Sequence, residues 1–288
     1  MNGQTHKFYI SRVLLVFSTL LLGLLTASAV SAMSDASENR NKVADFDGDG
    51  KSDISVFRPS NGFWYIMNSS GGFSSVQWGQ RNDVLVPGDY DGDGKTDLAV
   101  NRTDACICFF ETANTWYIRR SSDNGFLSRQ FGRNGFSFAT PVPADYDGDG
   151  KTDFAFYDSQ DYIPSPGYFR IVQSSTDSVV IRQWGTNFVD KRVPADYDGD
   201  GKADLAVFRS VFGSTEAGIW YILQSSNGAM RVERFGLPTD RLVPADYDGD
   251  GKADIAVYRP SDGFWYRINS SDGSFYATQF GLSADKPV

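Results

Sequence analysis

A segment of nine residues recurs five times in this chain, with few changes between copies. It reads Asp, an aromatic residue, Asp, Gly, Asp, Gly, Lys, a variable residue and Asp. The copies begin at Asp45, Asp89, Asp145, Asp196 and Asp246. Each copy concentrates four carboxylates in one short segment, and its two glycines allow a tight backbone turn. The intervals of 44 to 56 residues between copies are typical of a propeller or a solenoid.

The carboxylates of each copy predict a bound divalent cation. Two like charges about 4–5 Å apart cost roughly 3–4 kcal/mol at an effective dielectric near 20, so four in one loop repel strongly. Calcium prefers about six to eight hard oxygen ligands, whereas magnesium demands octahedral geometry and retains its waters. We therefore predict five structural calcium sites.

In each predicted site the first three Asp residues supply side-chain oxygens, Lys supplies its backbone carbonyl, and the last Asp closes the site with two oxygens. The closing acid is Asp at position nine, which differs from the Glu at position 12 of an EF-hand. The predicted ligands are Asp45, Asp47, Asp49, Lys51 and Asp53; Asp89, Asp91, Asp93, Lys95 and Asp97; Asp145, Asp147, Asp149, Lys151 and Asp153; Asp196, Asp198, Asp200, Lys202 and Asp204; and Asp246, Asp248, Asp250, Lys252 and Asp254.

The residues around each loop predict short strands. In the last unit, 255–259, 264–269 and 274–280 have strand character, and turn residues at 260–263 and 270–273 separate them. A short strand ahead of the loop makes four strands per unit. The prediction is an all-β fold, a β-propeller of five four-stranded antiparallel blades with one calcium loop per blade. An open arc that closes by pairing with another molecule is the alternative.

An aromatic pair recurs in the second long strand of each unit, and we expect these pairs to fill the space between neighbouring blades. They are Trp64–Tyr65, Trp116–Tyr117, Tyr168–Phe169, Trp220–Tyr221 and Trp265–Tyr266.

The ends of the units carry a family resemblance. Phe131–Gly132, Phe235–Gly236 and Phe280–Gly281 end a unit, and Pro-Ala-Asp at 143–145, 194–196 and 244–246 opens one. With the acidic loops, these residues resemble the FG-GAP (also called VCBS) repeats of integrin alpha-chain propellers and secreted bacterial proteins. The resemblance covers residues 42–288 and implies recognition of a protein or carbohydrate. Integrin-type propellers have seven blades, whereas this chain has five units.

The beginning of the chain reads as a signal peptide over residues 1–32. Lys7 and Arg12 precede an apolar run at 13–25, and Val30–Ser31–Ala32 forms a small-residue cleavage site. A short N-terminal segment, 33–41, would precede the propeller at 42–288. Removal of the signal would move the net charge from −9 to −11. This acidity argues against a nucleic-acid partner, and no later stretch predicts a membrane span.

The remaining composition limits the chemistry. The only histidine is His6, inside the predicted signal, so the mature chain has none for a Ser-His-Asp triad or for histidine-ligated zinc. Cys106 and Cys108 would lie on the same side of an extended strand, either as a strained local disulfide or as two buried thiols.

The face opposite the calcium loops is the candidate ligand surface. The turn after the first long strand is expanded in the middle three units, at 103–115, 159–167 and 210–218, and binding sites often lie on such loops. The aromatic residues of these loops are Phe109, Phe110, Tyr162 and Phe212. Arginines at 58, 102, 209 and 259 would form either an anion-binding ring or repeated Arg–Asp pairs between blades, with Asp83, Asp190, Asp240 and Asp285.

The leading hypothesis is a secreted calcium-binding propeller that acts as a protein- or carbohydrate-binding adhesion module. One rival is a polysaccharide-cleaving enzyme using Glu111 and Glu216, and another is a purely structural surface protein. Paired carboxylates are needed for glycoside hydrolysis, and nothing in the sequence places these two glutamates together.

Overall fold

The fold was obtained as a computed structural model, which describes residues 43–103, 112–134, 139–158, 164–211 and 215–288. These residues form β-strands and no helix. In chain order the strands are β1 (Ile54–Arg58), β2 (Phe63–Met67), β3 (Phe73–Gln77), β4 (Val84–Leu85), β5 (Leu98–Thr103), β6 (Thr112–Arg119), β7 (Phe126–Asn134), β8 (Thr140–Pro141), β9 (Phe154–Asp158), β10 (Pro166–Val172), β11 (Val179–Thr186), β12 (Asp190–Arg192), β13 (Leu205–Arg209), β14 (Ile219–Leu223), β15 (Met230–Arg234), β16 (Arg241–Leu242), β17 (Ile255–Arg259), β18 (Phe264–Ile268), β19 (Phe275–Gln279) and β20 (Lys286–Pro287).

The strands form five four-stranded antiparallel sheets, as the sequence predicted. We number them blade 1 (β20-β1-β2-β3), blade 2 (β4 to β7), blade 3 (β8 to β11), blade 4 (β12 to β15) and blade 5 (β16 to β19). Blade 1 combines three strands from the first repeat with β20 from the last, and Val56 pairs with Pro287 across this junction. The chain therefore closes its own ring, as predicted, and the alternative of an open arc is excluded.

Burial is greatest in the second strand of each blade and decreases outwards from it, whereas innermost strands such as β4 and β16 are exposed or half-buried. Four of the five residues of β1 and of β17 are fully buried, because these strands lie inside their blades. The next strand alternates, as in β2, and the outermost strand is mostly exposed, as in β19. In the described part of the chain, no helix is long and apolar enough to cross a membrane.

The predicted aromatic pairs do fill the space between blades. Trp116 of blade 2 is fully buried, and its ring lies 5.2 Å from that of Phe154 and 5.5 Å from that of Phe156 in blade 3. Trp64 and Trp220 are equally buried. These large rings supply much of the apolar surface that holds neighbouring blades together.

Blade 3 departs from the predicted alignment of these pairs. Phe169 pairs with Tyr157 in the way that Trp64 pairs with Phe57, so Phe169 takes the tryptophan position and Arg170 takes the following one. The Tyr168–Phe169 pair is therefore shifted by one residue relative to the other four. The dipeptide looked similar, but the register of the sheet decides which side chain faces the core.

The Phe-Gly signature at the end of a unit has a structural reason. The Trp220 indole donates a hydrogen bond to the Phe235 carbonyl at 3.0 Å, and equivalent bonds occur in blades 1, 2 and 5. Gly236 follows with φ of +80°, where a Cβ would lie 2.8 Å from Val257 Cγ1 of the next blade. A side chain is excluded there by both conformation and space.

Candidate metal centres

In blades 2 to 5 the acidic segment forms a hairpin loop between the short innermost strand and the next strand, whereas in blade 1 it leads into β1 and the innermost strand is β20. In the second loop Asp97 N donates to the Gly88 carbonyl at 2.8 Å and closes the loop. The aromatic residue at position two anchors it, since Tyr90 is buried and its hydroxyl donates to the Val86 carbonyl at 2.7 Å. The first loop has Phe46 at this position and lacks the hydroxyl contact.

Every loop brings three carboxylates close enough to share one cation. One oxygen from each lies within 4.8 Å of the others. In four loops the group consists of the first, third and ninth residues: Asp45, Asp47 and Asp53; Asp89, Asp91 and Asp97; Asp145, Asp147 and Asp153; and Asp196, Asp198 and Asp204. In the fifth loop it consists of Asp246, Asp248 and Asp250. Only oxygen donors are present in these groups, as a hard cation requires.

Backbone donors fix the first and last carboxylates of each loop. Asp45 Oδ1 accepts from Gly48 N at 2.7 Å, and its Oδ2 accepts from Gly50 N at 3.0 Å. Asp53 Oδ2 accepts from Phe46 N at 2.8 Å, and its Oδ1 accepts from Ser69 N at 2.7 Å. A carboxylate oxygen has two lone pairs, so each of these oxygens retains capacity for a cation. The loop thus holds its carboxylates in position before any ion arrives.

The pKa values of these carboxylates show the cost of burying them together. Burial raises the pKa of Asp145 and of Asp196 to about 7, and backbone hydrogen bonds from the glycines only partly offset it. Burial likewise raises the pKa of the closing Asp204 to about 6. The closing Asp97, Asp153 and Asp254 behave in the same way. A bound divalent cation would favour the ionised forms and remove this cost.

Some of the predicted ligands lie outside these groups of three carboxylates. In the fourth loop Asp200 Oδ1 accepts from Lys202 N at 2.9 Å, and its Oδ2 accepts from Ser225 Oγ at 2.8 Å. Asp49, Asp93, Asp149 and Asp200 lie outside the groups of their loops, and Asp254 lies outside that of the fifth. Ligation by these residues, by the lysine carbonyls and through two oxygens of the closing Asp stays a prediction.

Sequence reasoning missed a pair of serines that contacts every loop. In blade 4 Ser225 N donates to Asp204 Oδ1 at 2.7 Å, and Ser226 Oγ donates to Asp198 Oδ2 at 2.6 Å. The equivalent pairs are Ser69–Ser70, Ser121–Ser122, Ser174–Ser175 and Ser270–Ser271. A Ser-Ser dipeptide at the second turn of each unit was the available signal. These contacts place this turn and the acidic loop on one face.

The five loops are connected to one another around the axis. Thr96 N of the second loop donates to the Asp45 carbonyl of the first at 2.7 Å, and Ser52 N closes the circle on the Asp246 carbonyl at 2.6 Å. The lysine of each loop also lies against the preceding loop. Lys95 Nζ donates to the Asp47 carbonyl at 2.9 Å, and a Cβ on Gly48 would lie 2.8 Å from Lys95 Cε. In each acidic loop a backbone carbonyl thus accepts a hydrogen bond from the next loop.

The opposite face carries the predicted Arg–Asp pairs, but each pair lies within one sheet rather than between blades. Arg259 donates through Nε and Nη2 to both oxygens of Asp240, each at 2.9 Å, and its guanidinium covers the Tyr266 ring. The same pairs join Arg58 to Asp285, Arg102 to Asp83 and Arg209 to Asp190. The Asp side chains are buried, so these arginines do not form a free anion-binding ring.

Blade 3 reverses the charges of this pair. Asp158 stands where the other blades have Arg, and Arg170 Nε donates to Asp158 Oδ2 at 2.7 Å. This exchange follows from the shifted register, because Arg170 occupies the position of Tyr65 or Tyr266.

Several predictions fall outside the described residues. They are the signal peptide at 1–32, the cysteines Cys106 and Cys108, Glu111, and the aromatic residues Phe109, Phe110, Tyr162 and Phe212.

The fold and loops define a five-bladed propeller with a candidate metal centre in every blade. A family model for the FG-GAP-like repeat matches residues 45–100 and 196–257. These two segments therefore match the FG-GAP repeat that the sequence motifs resemble. No curated protein gave a match.

Proposed function

We propose that this protein is a secreted, calcium-stabilised β-propeller that acts as a binding or adhesion module for an extracellular protein or carbohydrate. The observation that carries the proposal is the fivefold recurrence of three converging carboxylates per loop, in a circle of loops joined by backbone hydrogen bonds. Calcium accepts more oxygen ligands, in a less regular geometry, than magnesium does, which fits these carboxylate groups better. Secretion rests on the signal-like residues 1–32.

The two faces of the propeller support a division of roles. The acidic loops and the serine turns occupy one face, and their donors and acceptors are largely engaged with one another. The turn at Pro59–Gly62 lies at the other face, where Gly62 O accepts from Trp78 N at 3.0 Å. The expanded loops replace this turn in blades 2, 3 and 4. We assign ligand binding to them, because variable loops on a rigid scaffold are where recognition usually occurs.

The test is binding of the mature protein to glycan and protein arrays, with calcium and with excess chelator. We expect a carbohydrate or protein ligand to bind only in calcium. Release of shortened products from a polysaccharide would instead favour an enzyme, and association only with other copies would favour a structural surface protein.

A variant with a shortened loop tests whether the face opposite the acidic loops binds the ligand. The expanded loop of blade 4, residues 210–218, can be replaced by the four-residue turn of blade 5, Pro260 to Gly263. The corresponding loops of blades 2 and 3 are shortened in the same way as matched variants. We expect at least one variant to lose ligand while retaining calcium binding and its melting temperature. Unchanged binding in all three variants would contradict the assignment.

A further inference from the structure

The innermost strands surround a cavity of about 220 Å³ on the propeller axis. Its walls are mainly leucine, valine and proline, contributed by all five blades. One ring of this lining consists of equivalent positions, each paired with a buried residue of the next strand: Leu85, Pro141, Arg192, Leu242 and Pro287. Four members of the ring are apolar and one carries a guanidinium.

The Arg192 guanidinium is only partly satisfied. Nη1 donates to the Asp190 carbonyl at 3.1 Å, and Nη2 donates to Thr140 Oγ1 at 3.2 Å. Its carbon lies 4.3 Å from the centre of the Tyr157 ring. The Nε atom is buried and has no hydrogen-bond partner. Burial also lowers the pKa of Arg192, and Tyr157 and the negative charge of Asp190 only partly oppose this shift.

No carboxylate among the described residues pairs with Arg192. Asp190, two residues away in the same strand, already accepts two hydrogen bonds from Arg209, at 2.7 and 2.9 Å. Of the described residues that line the cavity, Arg192 is the only one with a charged side chain. A cation in an apolar cavity favours an anionic partner, because an unpaired buried charge is costly.

Neighbouring basic side chains are used differently. Lys191 Nζ donates to the carbonyls of Pro238 and Asp240, at 3.0 and 3.3 Å. Arg241 donates to the Asp285 carbonyl, and Lys286 donates to the carbonyls of Arg81 and Asp83. These cations tie blades 4, 5 and 1 to the connection that leads into the next blade. Arg192 breaks this pattern and is the one that lines the cavity.

We propose that the axial cavity binds a small organic monocarboxylate, with its carboxylate on Arg192 and its apolar body against the leucine, valine and proline walls. A guanidinium is suited to this task, since its planar fork matches a carboxylate, and the second hydrogens of Nη1 and Nη2 are the donors left for it. An apolar cavity of about 150 Å³ holds benzene in another protein, so the larger cavity here has room for a ring and a carboxylate. The inference goes beyond the proposed function and requires only the folded propeller.

The experiment is isothermal titration of the calcium-loaded mature protein with benzoate, and with benzyl alcohol as a neutral probe of similar shape. We expect benzoate to bind at least tenfold more tightly than benzyl alcohol. Arg192→Leu installs the residue found at the same place in blades 2 and 5 and should abolish this preference. Lys191→Met, which removes a neighbouring charge outside the cavity, should preserve it.

A second variant distinguishes the loss of the Arg192 charge from misfolding of the protein. Arg192→Gln retains a donor for the Thr140 hydroxyl and removes the charge, and it should also lose the preference. Equal binding of benzoate and benzyl alcohol to the wild type would overturn the proposal. So would benzoate binding that is unchanged in either Arg192 variant, with folding verified by its melting curve.

Discussion

The two faces of the propeller differ in how closely the contacts of the five repeats resemble one another. On the loop face five copies share nearly every contact, from the closing Asp to the serine pair and the backbone bond to the next loop. On the opposite face four blades share an Arg–Asp pair, blade 3 reverses it, and the middle blades expand their turns. We call the loop face the strict face, and we propose that the ring depends on its chemistry for stability. We call the opposite face the variable face, because the five blades differ from one another there.

Removal of the cations should produce the largest effect, because it acts on the strict face five times. A ligand at 100 times its Kd stabilises by about 2.7 kcal/mol per site. Each kcal/mol shifts the melting temperature of a domain of this size by about 2–4 °C. We expect excess chelator to lower the melting temperature by more than about 10 °C in scanning calorimetry, with recovery on adding calcium.

The control is chelator followed by magnesium, which should restore less stability than calcium does. An unchanged melting curve in chelator would refute the role of the loops as metal-dependent staples.

The pH dependence of the metal-free protein should be the next largest effect, since several carboxylates contribute. Their folded pKa values, about 6 to 7, lie above the ordinary value of 3.8, so the folded state binds more protons between these limits. The stabilisation is complete below about pH 4 and is lost as the pH rises through 6 to 7. We expect the chelated protein to melt at a lower temperature at pH 7.5 than at pH 5.

Asp204→Asn provides the matched control, because it removes one of these titrating groups and should weaken the pH dependence. With calcium saturating, the trend should reverse, because the cation holds the carboxylates ionised and acid releases it. A metal-free stability that rises with pH to the same extent in both proteins would count against the raised pKa values.

The opposite face should respond to the loss of one arginine. Arg259→Met leaves the buried Asp240 without its bidentate partner, although Leu237 N still donates to it. Breaking a buried pair from one side costs about 3 kcal/mol. We expect this loss in the free energy of unfolding, with calcium stoichiometry unchanged. Arg120→Met, which breaks the exposed pair with Asp123, should cost less than about 0.5 kcal/mol.

Equal losses in these two arginine variants, measured by chemical denaturation, would show that the buried pair does not stabilise the opposite face.

The smallest effect should come from the serine pair. Ser226→Ala removes the hydroxyl that orients Asp198 without touching the protein core. Loss of such an outer contact typically weakens a metal site by about tenfold. We expect this change at one site of the five in a calcium titration. Ser178→Ala, in a turn of blade 3 where the hydroxyl contacts Thr176 and Gln173, should leave all five sites unchanged. Equal calcium affinities in both variants would show that the serine pair does not support the metal site.

The sequence predicted the strict face well and the variable face poorly, for a physical reason. The acidic loops are continuous in the chain, so their carboxylates, glycines and number were visible directly. The serine pairs lie a variable distance downstream, because the expanded turns intervene, and only the sheet register shows that they meet the loops. In blade 3 the same register moves Phe169 and Arg170 by one position. Arg192 could not be singled out from the sequence as a binding residue, because the cavity that it lines is formed with four apolar residues from other blades.

Calcium titration of the mature, metal-free protein tests the central claim most directly. The account predicts five ions per chain, and four in Asp204→Asn, because each blade supplies its own carboxylate group. A folded wild-type protein that takes up no calcium, or a variant that still takes up five ions, would contradict it.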